Sequence, residues 1–255
     1  MKKALFTLNI GNYAPELRRV SYPLMKHYAK KIGADFVEIR ERRWPDWPVV
    51  YEKLQLRDLA RGYDWIIFMD ADALVHPDTP DWSGIVPRKH VAFFGFDFAP
   101  TRWTLDKYFY RDRRMIGTPG WLTMAWGECR DKLWRPSDLP LEEVLWRVHP
   151  TVNEVNLGMA HEHFVDDYTL SRNIARWHIP AVGLMALMQK FNLVANYYAH
   201  QYDHETVAEK YQMFFKVVMG AEAFGEHYGV EITEKDRTTY PGWKLPKGLV
   251  EGLGA

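Results

Sequence analysis

Three observations predict an α/β fold: a mixed, mainly parallel sheet flanked by helices in a single Rossmann-like domain. Strand-like and helix-like segments alternate over the first 75 or so residues. The run Trp65-Ile66-Ile67-Phe68-Met69 is apolar without a break, as a strand covered on both faces must be. The chain has 255 residues and 47% hydrophobic content, enough to bury one such core.

The elements follow in order. Ala4 to Ile10 reads as the first strand, punctuated by Gly11-Asn12. Pro15 opens a helix to about Lys31, because a proline loses no hydrogen bond at a first helical position. Pro23 does remove one, which predicts a kink or a split there. Gly33 ends the helix, and Asp35 to Arg40 reads as the second strand. The prolines of Trp44-Pro45-Asp46-Trp47-Pro48 oppose regular structure and mark a loop. Val49 to Arg61 is helix-like, with Tyr51, Leu54, Leu56 and Leu59 on a broad apolar face and Gly62 as its C-cap. Beyond Met69, Val91–Phe96 and Trp121–Trp126 read as strands. Leu141–Val148, Asp167–Trp177 and Glu205–Phe224 read as helices. From Thr233 onward Pro241, Gly242, Pro246, Gly248, Gly252 and Gly254 predict an extended tail. Residues 1–232 therefore form one domain, and residues 233–255 follow it as that tail.

Composition narrows the function classes. Lys plus Arg number 33 and Asp plus Glu 33, so no global pull toward nucleic acid is indicated, although a local patch is compatible with this balance. Cys129 is the sole cysteine, which excludes an internal disulfide and reads as a partly buried, inert thiol. Met1-Lys2-Lys3 is basic, but the apolar stretch after it contains Thr7 and Asn9 and is too short for a signal peptide or an anchor. No apolar run approaches a membrane span, so a soluble, cytoplasmic protein is expected. Aromatic residues make up 15% of the chain, with 11 Trp; most suit a core of large side chains, and some suit a groove that stacks on sugars or bases.

The motif that carries chemistry is Asp70-Ala71-Asp72, set directly after the apolar strand and followed by Ala73-Leu74-Val75. In an extended segment, carboxylates at i and i+2 project to the same side. Ligands of open α/β sheets bind beyond the carboxyl ends of the strands. Two carboxylates there, with no adjacent Lys or Arg in sequence, repel each other unless a divalent cation joins them. All-oxygen ligation suits Mn²⁺ or Mg²⁺ and leaves positions for diphosphate oxygens. The plainer reading is that Asp70 caps a turn and Asp72 is solvated.

The stretch Glu52-Lys53-Leu54-Gln55-Leu56-Arg57-Asp58-Leu59, then Tyr63, then Ile67-Phe68-Met69-Asp70-Ala71-Asp72 with Leu74-Val75, resembles the donor-site segment of the glycogenin-type glycosyltransferases, retaining enzymes of GT-A fold. Phe6-Thr7-Leu8-Asn9 and Tyr13 are similar to that family's first strand and uridine-contacting turn. Asp166-Asp167-Tyr168-Thr169-Leu170 is similar to its Asp-Gln-Asp-x-Leu-Asn helix start. Related galactosyl- and xylosyltransferases share the scheme. The resemblance is clear over residues 1–75, patchy to about residue 215 and absent from the tail. It implies a nucleotide-sugar-binding half over residues 1–98 and an acceptor-binding half over residues 99–232.

The resemblance also implies roles. Asp70 and Asp72 bind Mn²⁺ (or Mg²⁺), with Asp70 also near the ribose. Thr7, Asn9 and Tyr13 border the nucleotide, and Lys53 reaches the donor, a UDP-sugar. Asp166 and Asp167 face the donor sugar as catalytic carboxylates; an N-cap and a first-turn acid on the following helix is a compatible plainer role. The family's third metal ligand is a histidine in a His-x-x-Gly-x-x-Lys-Pro-Trp motif. This chain lacks that glycine and the Lys-Pro-Trp. His200 is the candidate, because it follows the strand-like run Phe191–Tyr198, with His204 and His178 as fallbacks and Lys210 further on.

The reaction implied moves a hexose or pentose to a hydroxyl acceptor, with retention of configuration. A bound cation stabilises charge on the leaving phosphate, and a carboxylate stabilises the cationic sugar. Two clusters suit a polar acceptor: Arg40-Glu41-Arg42-Arg43-Trp44 and Tyr108-Phe109-Tyr110-Arg111-Asp112-Arg113-Arg114. Solvated surface charge is the plainer reading of both. A saccharide acceptor ranks first and a hydroxylated base in DNA, reached by base flipping, second. Two other classes compete. A nucleotidyltransferase is expected to carry a Gly-rich basic loop after the first strand, which Gly11-Asn12-Tyr13 matches poorly. A non-catalytic sugar-binding module leaves the paired aspartates unexplained.

Overall fold

The structure, a computed structural model, describes residues 1–93, 119–148, 161–184, 206–250 and 253. Six strands form one sheet: β1 (Lys3–Leu8), β2 (Ala34–Ile39), β3 (Trp65–Met69), β4 (Val91–Phe93), β5 (Leu122–Trp126) and β6 (Ala181–Gly183). Their order is β2-β1-β3-β5-β4-β6. β1 runs parallel to β2 and β3, and β4 runs parallel to β6. β5 alone is reversed, pairing antiparallel with β3 and with β4, with Met69 opposite Leu122. Five strands therefore point one way, and β5 begins where β3 and β4 end.

The apolar run of β3 is buried at every position because it is covered twice. Successive side chains of a strand point to opposite faces. Trp65, Ile67 and Met69 join Leu5 in one cluster, with Leu17, Val20 and Tyr28 of helix α1 (Pro15–Ile32) and Phe214 and Val218 of a later helix. Ile66 and Phe68 join Phe6 in the other, with Trp134, Val144, Tyr168 and Ile174. This is the layered α/β architecture that the alternation of elements predicts.

Several elements differ from expectation in instructive ways. α1 is not split: it runs unbroken through Pro23 and ends at Gly33, whose φ of 67° is left-handed and whose N–H returns to Ala29 O and Lys30 O. Val49–Arg61 is not one α-helix. A 3-10 segment (Val49–Gln55) carries the buried Glu52 and Lys53, and only α2 (Leu56–Leu59) is α-helical. Between β4 and β6 lie α3 (Arg130–Leu133), α4 (Leu141–Val148) and α5 (Val165–Arg176).

Glu205–Phe224 divides at Gly220 into α6 (Val207–Met219) and α7 (Ala221–Tyr228). Gly220 has φ 96°, and a Cβ on it would meet the backbone of Gly242 and Pro241 at 3.3 Å. The tail is what approaches so closely, and it is not simply extended. It forms α8 (Glu234–Thr239), opened by a Thr233–Asp236 capping box, and α9 (Lys247–Val250). Trp243 N donates to Val218 O at 3.0 Å, Tyr240, Trp243 and Leu245 pack on the core, and Leu249 and Leu253 are buried. Its stretch from Tyr240 to Pro246 is irregular, and its apolar residues supply the adhesion. Among the described residues no helix is long and apolar enough to cross a membrane.

Candidate functional site

The site gathers at the carboxyl ends of β1 and β3, where β5 begins. The chain leaves β3 in a tight turn, with Ala73 N donating to Asp70 O at 3.0 Å. Asp70 and Asp72 therefore stand at a turn, where the extended reading expected strand alternation to align them. Both charges act on the Tyr13 hydroxyl. Tyr13 is 47% exposed, and partial burial first, then Asp72 and Asp70, push its pKa up to about 12. Asp72 is 2% exposed.

The expectation that no cation adjoins the pair fails in three dimensions. Lys53, from the 3-10 segment, is 3% exposed, and its Nζ lies 2.9 Å from Asp70 Oδ1 and 2.7 Å from Asp166 Oδ2. Burial alone would lower the lysine's pKa, but the charges of Asp166 and Asp70 outweigh it and raise the pKa. Lys53 is thus an internal counter-ion that ties the strand-end aspartate to the helix that carries Asp166. A second lysine, Lys210 of α6, places Nζ 3.9 Å from Asp72 Oδ2.

Asp166 and Asp167 lie in the first turn of α5 and are buried. Neither caps the helix; Phe164 holds that position without a side-chain hydrogen bond. Burial holds both carboxyls above their usual range. The neighbouring Asp166 charge raises Asp167 further, while Lys53 opposes the shift at both. Asp167 Oδ1 accepts the Gly120 N–H at 2.6 Å. Asp166 Oδ1 is buried and accepts no hydrogen bond among the described residues.

On the far side of the turn, Thr7 ends fully buried in β1, and Asn9 follows it. Asn9 Nδ2 donates to Glu38 Oε2 at 2.8 Å, which Arg40 Nε also approaches at 3.1 Å. Thr7, Asn9, Tyr13, Lys53, Asp70, Asp72, Asp166 and Asp167 thus all lie on described elements at this end of the sheet. His200 lies outside the described residues, as do His204 and the Tyr108–Arg114 cluster. His178 is described but sits in the turn that follows α5.

The Arg40–Trp44 cluster is exposed from Arg40 to Arg43, as solvated surface charge would be, but Arg42 and Arg43 are also engaged in contacts within the chain. Arg42 donates to Glu52 Oε1 at 3.0 Å, to Trp44 O at 2.9 Å, to Pro45 O at 3.0 Å and to Trp47 O. Arg43 pairs with Asp58. These arginines staple the Pro-rich loop onto the segment that carries Lys53.

Of two further neighbours of the site, the sequence marks Lys210 only as lying beyond the candidate histidines, and it does not single out Gly120. Lys210 had a usable signal, since it follows His204 by six residues, the His-to-Lys interval of the family motif. Gly120 had none. Its relation to Asp167 is a contact between residues far apart in the chain.

No protein-family model matches the sequence, and no curated protein matches it. Among solved structures, one of a glycosyltransferase involved in the glycosylation of the major capsid of PBCV-1 matches at TM-score 0.50 and 13% identity, covering 85% of this chain and 100% of the other. The likeness is one of fold. A galactosyltransferase, LgtC, in complex with donor and acceptor sugar analogs, matches at TM-score 0.43 and 11% identity over 92% of this chain and 99% of the other.

Proposed function

We propose that this chain is a metal-dependent glycosyltransferase that moves a hexose or pentose from a UDP-sugar to a hydroxyl acceptor, with a saccharide acceptor ranked first and with retention of configuration. The observation that carries the reading is the single buried lysine linking Asp70, beside its partner Asp72, to the carboxylate pair of α5. A transferase of activated sugars needs one group of acids for a cation and another for the sugar, held at a fixed spacing. The glycosyltransferase fold shared with the PBCV-1 capsid enzyme supports the same reading.

Asp70 and Asp72 fit a hard divalent cation. They offer oxygen donors at a strand end, and their charges converge on Tyr13. Among the described residues no group of three acidic, His or Cys side chains is arranged for a metal. The two aspartates would hold Mn²⁺ or Mg²⁺ with the donor diphosphate and a histidine, His200 or His204, completing the shell. Once bound, the cation would neutralise charge on the departing diphosphate. Lys210 would lend that diphosphate further positive charge. Lys53 keeps Asp166 in place without taking part in bond making. Asp166 presents its undonated oxygen to the cationic sugar, and Asp167 backs it. Thr7, Asn9 and Tyr13 border the nucleotide. Acceptor grip is assigned to Arg111, Arg113 and Arg114.

Calorimetry with UDP in the presence and absence of Mn²⁺ tests this reading. Binding that requires metal, and that disappears in Asp72→Asn while the fold survives, is the expected result. Equal UDP affinity with and without Mn²⁺ would overturn it. Substituting His200 and His204 singly by Ala then assigns the third ligand, since only one should raise the Mn²⁺ requirement.

A further inference from the structure

The Gly120 amide, from a residue far away in the chain, reaches into the α5 acid pair at 2.6 Å from Asp167 Oδ1. Gly120 also stands where no side chain fits. A Cβ built on it would lie 2.7 Å from Asp167 Oδ1, closer still to Asp166 Oδ2, and 3.0 Å from Asp166 Cγ. Its φ lies outside the left-handed region, so the backbone would accept alanine, and the obstacle is steric alone. Asp166 Oδ2 is the atom that holds Lys53 at 2.7 Å. Whatever displaces it loosens the α5 end of that link, while Asp70 keeps its own contact with Lys53 Nζ at 2.9 Å.

The turn at Gly120 is itself anchored to the other half of the site. Asp70 N donates to Trp121 O at 2.8 Å, and Thr123 Oγ1 donates to Pro119 O. A short backbone segment thus touches the strand-end aspartate on one side and the helix acids on the other.

We propose that Gly120 is a positioning residue. Its N–H orients Asp167, and its bare Cα leaves the space in which Asp166 and Asp167 stand side by side against Lys53. This rests on the glycosyltransferase reading for its functional part, but its structural part does not. Any side chain at position 120 moves both carboxylates, while Thr7, Asn9 and Tyr13 are not among the nearest atoms it would meet and keep their places.

The structural arm is a thermal-denaturation cycle on the full chain: wild type, Gly120→Ala, Asp166→Ala/Asp167→Ala, and the triple variant. Gly120→Ala should lower the Tm of wild type by about 5 °C, as overpacking does. It should leave the Tm of the double variant unchanged, because the colliding oxygens are gone. If Gly120→Ala fails to fold alone but folds in the double variant, the proposal is supported. An equal loss in both backgrounds, or no loss in either, overturns it.

The functional arm uses Mn²⁺-dependent hydrolysis of a UDP-sugar and UDP affinity. Gly120→Ala should reduce kcat about 100-fold, as a displacement on the order of 1 Å does, while UDP affinity stays within about threefold. A parallel loss of affinity and kcat would overturn the positioning role. If wild type neither binds nor hydrolyses any UDP-sugar, the functional reading fails and the denaturation cycle still decides the place of Gly120.

Discussion

Two buried acids, Glu52 and Asp166, sit within one residue and one ion pair of Lys53, and they are treated in opposite ways. Glu52 is fully satisfied: Oε1 accepts from Arg42 Nε and Trp44 N, and Oε2 accepts from Arg43 N and Gln55 Nε2, all within 3.0 Å. Asp166 receives Lys53 on one oxygen and no hydrogen bond among the described residues on the other. A buried carboxylate with every lone pair met has no capacity left for a ligand and serves the fold. One left short of donors is costly to keep, and is the one to expect at a site of chemistry. The contrast separates the Arg-rich loop, whose charge serves the fold, from the lysine-linked acids.

Three substitutions break or sharpen that contrast. Lys53→Met should have the largest effect, since it leaves Asp70 and Asp166 without their counter-ion. A loss of about 3–5 kcal/mol in stability is expected from denaturant unfolding, together with loss of UDP-sugar hydrolysis. Glu52→Gln should cost about 2 kcal/mol, because an amide turns a donor toward groups that are themselves donors. It should spare Mn²⁺-dependent UDP binding to within a few-fold once the protein is folded. Should Glu52→Gln abolish nucleotide binding as completely as Lys53→Met does, the division into fold-serving and site-serving acids collapses.

Asp167→Asn should have the smallest effect, and of the opposite sign. The folded pKa of Asp167 is raised, first by burial and then by Asp166, so folding favours its protonated form. Stability from such a group is full below the unfolded value of about 3.9 and is lost as pH rises through the folded pKa. Asparagine keeps an acceptor for Gly120 N–H without the charge. The variant should therefore melt above wild type at pH 7 and converge with it near pH 4. A constant offset across that range would place the effect in packing.

Much of this was legible in the sequence because it follows from local patterning. The doubly covered β3 is visible as five consecutive apolar residues, and the start and stop of α1 are marked by Pro15 and Gly33. The site's acids were found through short segments that resemble a known donor site. What escaped depended on distance along the chain. Lys53 lies far in sequence from Asp166, so its role as counter-ion could not be read from spacing, and an isolated lysine is expected to be exposed. Arg42 and Arg43 read as solvated charge, or else as an acceptor grip, because the acceptors their side chains reach, loop carbonyls, Glu52 and Asp58, are set by a turn that no periodicity encodes. The tail was misjudged for a related reason. Pro241 and Gly242 signalled irregular backbone correctly, but whether such backbone is loose or docked depends on Trp243 and Leu249 meeting a surface made by α6 and α1.

The reversal of β5 has a consequence for how such a protein can diversify. β4 ends and β5 begins at the same rim of the sheet, the rim that carries Asp70 and Gly120. β6, parallel to β4, also ends there. That rim is therefore held by strand pairing on both sides of Asp70 and Gly120, and side chains along it can be replaced without altering the register of a single strand. On the proposed reading, the chemistry of that rim can drift while Lys53, Asp70 and Asp166 are inherited unchanged, as a chuck keeps its spindle while the bits are exchanged.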